Sequence, residues 1–156
     1  MRRNFEEKEQ DKEKGYQFEC LIESLFKKPD FTVLNRPHHY RERRRRDLTE
    51  EDIATDLKVR HNKTNIEFYV QCKYHSEIDE ETKWTDRKHF RIYLDFYENK
   101  TNLDLFIAVG IGGTAENPNR LLFGHFNEFH GENLRISTYE SKNRPIQPFK
   151  LVWKIK

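Results

Sequence analysis

Asp56, Gln71 and Lys73 are the residue types that hold a divalent cation against a phosphodiester. They fall in two segments, Thr55-Asp56-Leu57-Lys58-Val59 and Ile66 to Tyr74, separated by the polar Arg60-His61-Asn62-Lys63-Thr64-Asn65. Two strands joined by a turn there would bring Asp56 beside Gln71 and Lys73. A carboxylate, an amide oxygen and an ammonium would then share one end of a buried sheet. Mg²⁺ takes oxygen ligands and usually keeps several waters, and Mn²⁺ is the alternative. Asp56 would be the direct carboxylate ligand, with the Gln71 side-chain oxygen and the backbone carbonyl of Cys72 beside it. Such an ion polarises the phosphate and lowers the pKa of a bound water. Lys73 would orient that water and stabilise charge growing on the phosphate. A general-base role would need a strongly lowered lysine pKa, of which the sequence gives no sign. No side chain stands out to protonate the leaving 3′ oxygen, which leaves that proton to water.

A helical acid completes the set. Glu19 would reach the ion through water or hold a second one. Glu23 lies on nearly the same helix face, and helical spacing does not separate the two. Each residue also has a plainer reading. Asp56 could simply close a turn, and Lys73 could pair with Glu67 or Glu77. Their conjunction on one hairpin carries the chemistry.

The elements that must position these residues follow from periodicity. Residues 1–14 are nearly all charged or polar and read as a solvated lead-in, and 15–156 as a single domain. Phe18, Leu21, Ile22, Leu25 and Phe26 have helical spacing, and Pro29 ends the run. Phe31 to Leu34 reads as a short strand. Asn35 to Glu51 reads as a loop or arm, with a turn of helix at Asp47–Glu51. Strands are expected near Ile53–Arg60 and Ile66–Tyr74. In the second, Ile66, Phe68, Val70 and Cys72 alternate with Glu67, Tyr69, Gln71 and Lys73, so Gln71 and Lys73 share one face. His75 to Thr85 reads as an acidic, mobile connection. Phe90, Tyr93, Leu94 and Tyr97 mark a second helix ending near Asn99. Leu103 to Gly110 is a continuous apolar run, the kind buried on both faces. Gly112 to Asn119 reads as a loop, Leu121–Gly124 as a strand, and Phe149–Ile155 as a late strand. Gly131–Pro148 gives no clear signal. The fold class is α/β, a mixed sheet flanked by helices in the order α-β-β-β-α-β-β.

A chain of 156 residues with 36% charged and 35% apolar residues is polar for one domain, and its 12 Phe, 7 Tyr and 2 Trp must supply the core. Net charge is only +2, so the distribution of charge says more than the sum. Arg41, Arg43, Arg44, Arg45 and Arg46 form a basic cluster just ahead of Asp56. Charge runs are usually solvated, yet this one would attract phosphates without reading sequence. Lys83, Arg87 and Lys88 would extend the same nucleic-acid-binding surface. Cys20 and Cys72 match no zinc or disulfide spacing, which favours a reduced, cytoplasmic setting. No apolar run reaches the roughly 18 residues of a membrane span, and Met1 to Lys14 is too charged for a signal-peptide core. The histidines form no helical zinc pattern. Cys72 reads as core by alternation, and Gly110-Ile111-Gly112-Gly113 lacks the following helix that nucleotide binding requires.

From Gly15 to Phe129 the chain resembles the PD-(D/E)xK nuclease superfamily, and within it the Mrr-like restriction endonucleases. Gly15-Tyr16-Gln17-Phe18-Glu19 is similar to the G-x-x-F-E opening of that family's first helix. Thr55-Asp56 takes the place of its P-D element, and Gln71-Cys72-Lys73 resembles its (D/E/Q)-x-K element. The chain departs in carrying Thr55 for proline and Gln71 for an acid, which removes a charge from the metal site. The resemblance implies a restriction-endonuclease-like αβββαβ core and metal-dependent hydrolysis of DNA in restriction or defence. It favours Glu19 over Glu23. Two other readings are a nucleic-acid-binding module that does not cut and a Holliday-junction resolvase. DNA is the expected partner, with a homodimer or a separate target-recognition subunit beside it, because the chain has little room for its own recognition domain.

Overall fold

The computed structural model of the protein describes residues 4–35, 49–77, 81–129 and 131–135. Helix α1 (Phe5–Leu25) opens on a capping box: the Glu7 amide donates to Asn4 Oδ1 at 2.8 Å, and the Asn4 amide donates to Glu7 Oε2 at 3.2 Å. Such a box satisfies two of the backbone donors that a helix start leaves orphaned. The helix therefore starts within the charged lead-in and runs unbroken through Gly15. Its first residue, Phe5, is exposed, and burial begins only at the expected stripe, where Phe18 and Ile22 are fully buried.

The main sheet has five strands: β1 (Phe31–Asn35), β2 (Leu57–His61), β3 (Ile66–His75), β5 (Asp104–Ile111) and β6 (Arg120–His125). Their spatial order is β1-β2-β3-β5-β6. All pairings are antiparallel except the central one, where β3 and β5 run parallel from Phe68↔Asp104 to His75↔Ile111. A short turn closes the β2–β3 hairpin. Asn65 sits there at φ 57°, a left-handed conformation asparagine tolerates better than most residues.

One strand start differs from expectation. Ile53 and Ala54 belong to a short helix, α2 (Glu50–Ala54), and β2 begins only at Leu57. The cause is local. Thr49 caps the helix by accepting from the Asp52 amide, Asp52 reaches back to the Thr49 amide at 3.0 Å, and three acids occupy the first turn. Carboxylates there are favoured by the helix dipole. Asp56 consequently lies in the sharp joint between helix and strand.

Both faces of the sheet are covered. Phe18 and Ile22 of α1 and Phe26 just after it pack on Phe68, Val70, Cys72, Phe106 and Ala108. On the opposite face Tyr69, Leu105, Ile107 and Val109 meet Tyr93 and Phe96 from the second expected helix, α3 (Arg87–Asp95), which continues as a π-helical turn over Phe96–Lys100. Double cover explains why β5 is apolar without alternation. It also means that Gln71 and Lys73 face α3 rather than bulk water.

The approach of α1 is set at Gly110. A Cβ there would stand 2.5 Å from Phe18 Cε2. Gly110→Val should therefore destabilise the fold by about 1–3 kcal/mol through overpacking, read as a lower urea midpoint at unchanged m-value.

The connection from His75 to Thr85, expected to be mobile, is anchored among its described residues. Trp84 within it is 0% exposed. Its amide donates to Glu132 O at 3.0 Å and its Nε1 to Gly131 O at 2.9 Å. The His75 ring bonds the Trp84 carbonyl at 3.0 Å. Just before it, β4 (Glu81–Lys83), inside the expected connection, pairs antiparallel as a separate ribbon with β7 (Asn133–Arg135), from the stretch with no clear sequence signal. Acids on both sides make this segment read as solvated, and one tryptophan shows no period to correct that. The basic cluster Arg41, Arg43, Arg44, Arg45 and Arg46 and the late strand at Phe149–Ile155 lie outside the described residues.

Candidate active site

Asp56 is held twice from across the hairpin. Its amide donates to Val70 O at 2.9 Å, and the Cys72 amide donates to its Oδ2 at 2.7 Å. The α2–β2 joint thus fixes the carboxylate against the middle of β3, next to Gln71 by register. Gln71 is 5% exposed, and its Nε2 donates to the Cys72 carbonyl at 3.2 Å. Its Oε1 is buried without a hydrogen-bond partner among the described residues. A polar atom left in that state costs about 1–3 kcal/mol, so its presence calls for an explanation. A cation would supply one.

Lys73, half-buried, extends over the ring of Tyr93 with Nζ 5.6 Å from the ring centroid. Burial pushes its pKa down, but the Tyr93 phenol and the carboxylates of Asp56 and Asp86 outweigh burial and hold it above the ordinary lysine value. The residue is therefore an ammonium at neutral pH. It is suited to stabilising charge and unsuited to removing a proton.

Cys72 lies at the centre of the group. Burial first, then Asp56 and Glu19, push its thiol well above the usual range, and the nearby Lys73 offsets this only in part. It is a core thiol, not a nucleophile. Glu19, next to fully buried Phe18 on α1, acts on Cys72, and its Oε2 is itself buried. Glu23 lines a groove of about 670 Å³ with Phe26, Lys27 and Val33, and both acids bear on Cys20. Of the two acids, Glu19 is the one that also bears on Cys72.

Lys83, Arg87 and Lys88 are exposed. Arg87 and Lys88 open α3 directly behind Asp86, whose Oδ1 caps the helix by accepting from the His89 amide at 2.8 Å. Its Oδ2 meets His89 Nδ1 at 2.6 Å. These two bonds to His89 lower the Asp86 pKa, so the cap is in place above the ordinary Asp range and is lost as pH falls through the lowered value. Asp86 and Tyr93 both act on Lys73, and sequence reasoning assigned neither to the site. Tyr93 reads in the chain as one more member of a helical apolar stripe, and nothing in that stripe tells which neighbour its ring meets.

Among the described residues no group of three or more His, Cys, Asp or Glu side chains is placed to hold a metal ion. The oxygens gathered here are of another kind: the Asp56 carboxylate, the Gln71 amide and the Cys72 carbonyl, with Glu19 near the same cysteine. Hard cations such as Mg²⁺ accept such a mixture. No helix among the described residues is long and apolar enough to cross a membrane. No protein-family model and no curated protein matches the chain.

Proposed function

We propose that the protein is a metal-dependent endonuclease that hydrolyses DNA phosphodiesters, built on a restriction-endonuclease-like core of the PD-(D/E)xK kind in its Mrr-like branch. The observation that carries this reading is the buried Gln71 Oε1, without a partner among the described residues, beside the braced Asp56 carboxylate, with an ammonium two residues along the strand. Asp56, Gln71, the Cys72 carbonyl and Glu19 are the residues that would hold Mg²⁺ or Mn²⁺. A bound ion supplies Lewis-acid polarisation of the phosphate and a water of lowered pKa. The Cys72 amide aims the Asp56 carboxylate, and Lys73 places a fixed positive charge where the phosphate gains negative charge. Because Lys73 stays protonated, it orients the attacking water without taking its proton. Arg87 and Lys88, with the basic cluster at 41–46, would contact the DNA backbone. A duplex has two phosphodiesters to break, and a homodimer would present one site to each strand.

Gln71 also favours a second reading, a module on the same fold that binds nucleic acid without cutting it, because a neutral amide attracts a cation less than a carboxylate does. One experiment separates the two. Purified protein should nick plasmid DNA in Mg²⁺ or Mn²⁺, stop on addition of chelator, and lose cutting in Asp56→Asn. Salt-sensitive binding with no metal-dependent cutting in either ion would leave the binding module standing.

A further inference from the structure

The geometry points to Tyr93 as a positioning residue for Lys73: its buried ring is a platform that fixes the direction of the ammonium toward the reacting phosphate. This rests on the nuclease reading of the site. A lysine has four rotatable side-chain bonds and, on the open face of a sheet, would sample many directions. Here it does not stand on an open face. Nζ lies 5.6 Å from the Tyr93 centroid, within the roughly 6 Å over which a ring face attracts a cation. The ring is rigid because it is 1% exposed and stacked on Trp84, with centroids 5.9 Å apart and planes 25° apart. Trp84 in turn is tied by its Nε1 to Gly131 O and by its carbonyl to His75, two residues beyond Lys73 on the same strand. A continuous set of contacts therefore runs from the Gly131 turn through Trp84 and Tyr93 to the ammonium. It closes on the strand that bears the lysine. The segment that a solvated composition would leave loose is thus the buttress of the charge.

The test compares Tyr93→Phe, which keeps the ring, with Tyr93→Leu, which removes it. Far-UV circular dichroism and urea midpoints serve as checks of folding. Two readouts are taken. The first is the proton shift of the Lys73 ε-methylene, which a ring face below it moves upfield whether or not the protein cuts DNA. The second is the split between kcat and KM for metal-dependent plasmid cleavage. Wild type is expected to show the upfield shift. Tyr93→Phe keeps the ring but drops the hydroxyl that also acts on the ammonium, so it is expected to keep the upfield shift and to retain clearly more kcat than Tyr93→Leu. Tyr93→Leu should lose the shift and about tenfold or more in kcat at unchanged KM, because misplacing a catalytic group by an ångström is that damaging. An unshifted Lys73 in wild type overturns the proposal, as does a folded Tyr93→Leu with wild-type kcat or a folded Tyr93→Phe that fails as badly as Tyr93→Leu. Wild-type protein that shows the shift but cuts nothing in either metal overturns the nuclease reading instead, and with it any catalytic purpose for the contact.

Discussion

Lys73→Met should lower the rate of metal-dependent DNA cleavage by about 10²–10³-fold, the usual loss when one fixed charge-stabilising group leaves a transition state. Methionine is the informative replacement because it keeps most of the length of the chain against Tyr93 while removing the charge. DNA affinity should stay within about threefold, since a single phosphate contact is a small part of a backbone interface. Filter binding and plasmid nicking on the same preparations give the two numbers. Equal losses of binding and cutting would show that Lys73 serves only to hold DNA. Stability adds an independent check through the sign of the pKa shift. The folded lysine has a raised pKa, so its stabilising contribution is complete below the ordinary lysine value and disappears as pH rises through the folded one. The stability gap between wild type and Lys73→Met should accordingly change only in strongly alkaline solution.

Trp84→Ala should destabilise the protein by about 3–5 kcal/mol, the range for removing a large buried aromatic. The site is completely buried, and the ring touches Phe90, Tyr93 and Phe129. The indole also supplies the bond to Gly131 O, so truncation leaves a carbonyl without its donor as well as a cavity. Small domains have only about 5–15 kcal/mol in total. Urea unfolding followed by circular dichroism measures the loss. A change below about 1 kcal/mol would mean that this connection is as loosely held as its composition suggests.

The parts of the fold legible in the chain are those where one period persists over many residues. The α1 stripe from Phe18, the alternation in β3, the unbroken apolar run of β5 and the helix around Tyr93 all appear where expected. What escaped is set by single residues or by contacts distant in sequence. Ile53 and Ala54 look like the start of a strand, and only the Thr49–Asp52 capping box makes them helical. Trp84 is one residue without a period in an acidic stretch. The grouping of Asp56, Gln71 and Lys73 was readable because a tight hairpin imposes it, whereas the contact of Tyr93 with Lys73 depends on how α3 crosses the sheet. The αβββαβ core was expected through resemblance. The described residues show a five-stranded mixed sheet between helices.

The parallel pairing of β3 with β5 bears on when the proposed site is completed during folding. Asp56, Gln71 and Lys73 lie on one hairpin with a short turn, and such local contacts form early. Glu19 and Tyr93 come from distant parts of the chain, and β3 can meet β5 in parallel only after the long crossover through α3 has been laid down. Contacts of that separation form slowly. An incompletely folded chain would therefore carry Asp56 and Gln71 on the hairpin while the Lys73 ammonium swings free. On the nuclease reading, a newly made molecule stays harmless to the DNA around it until its last non-local contacts close.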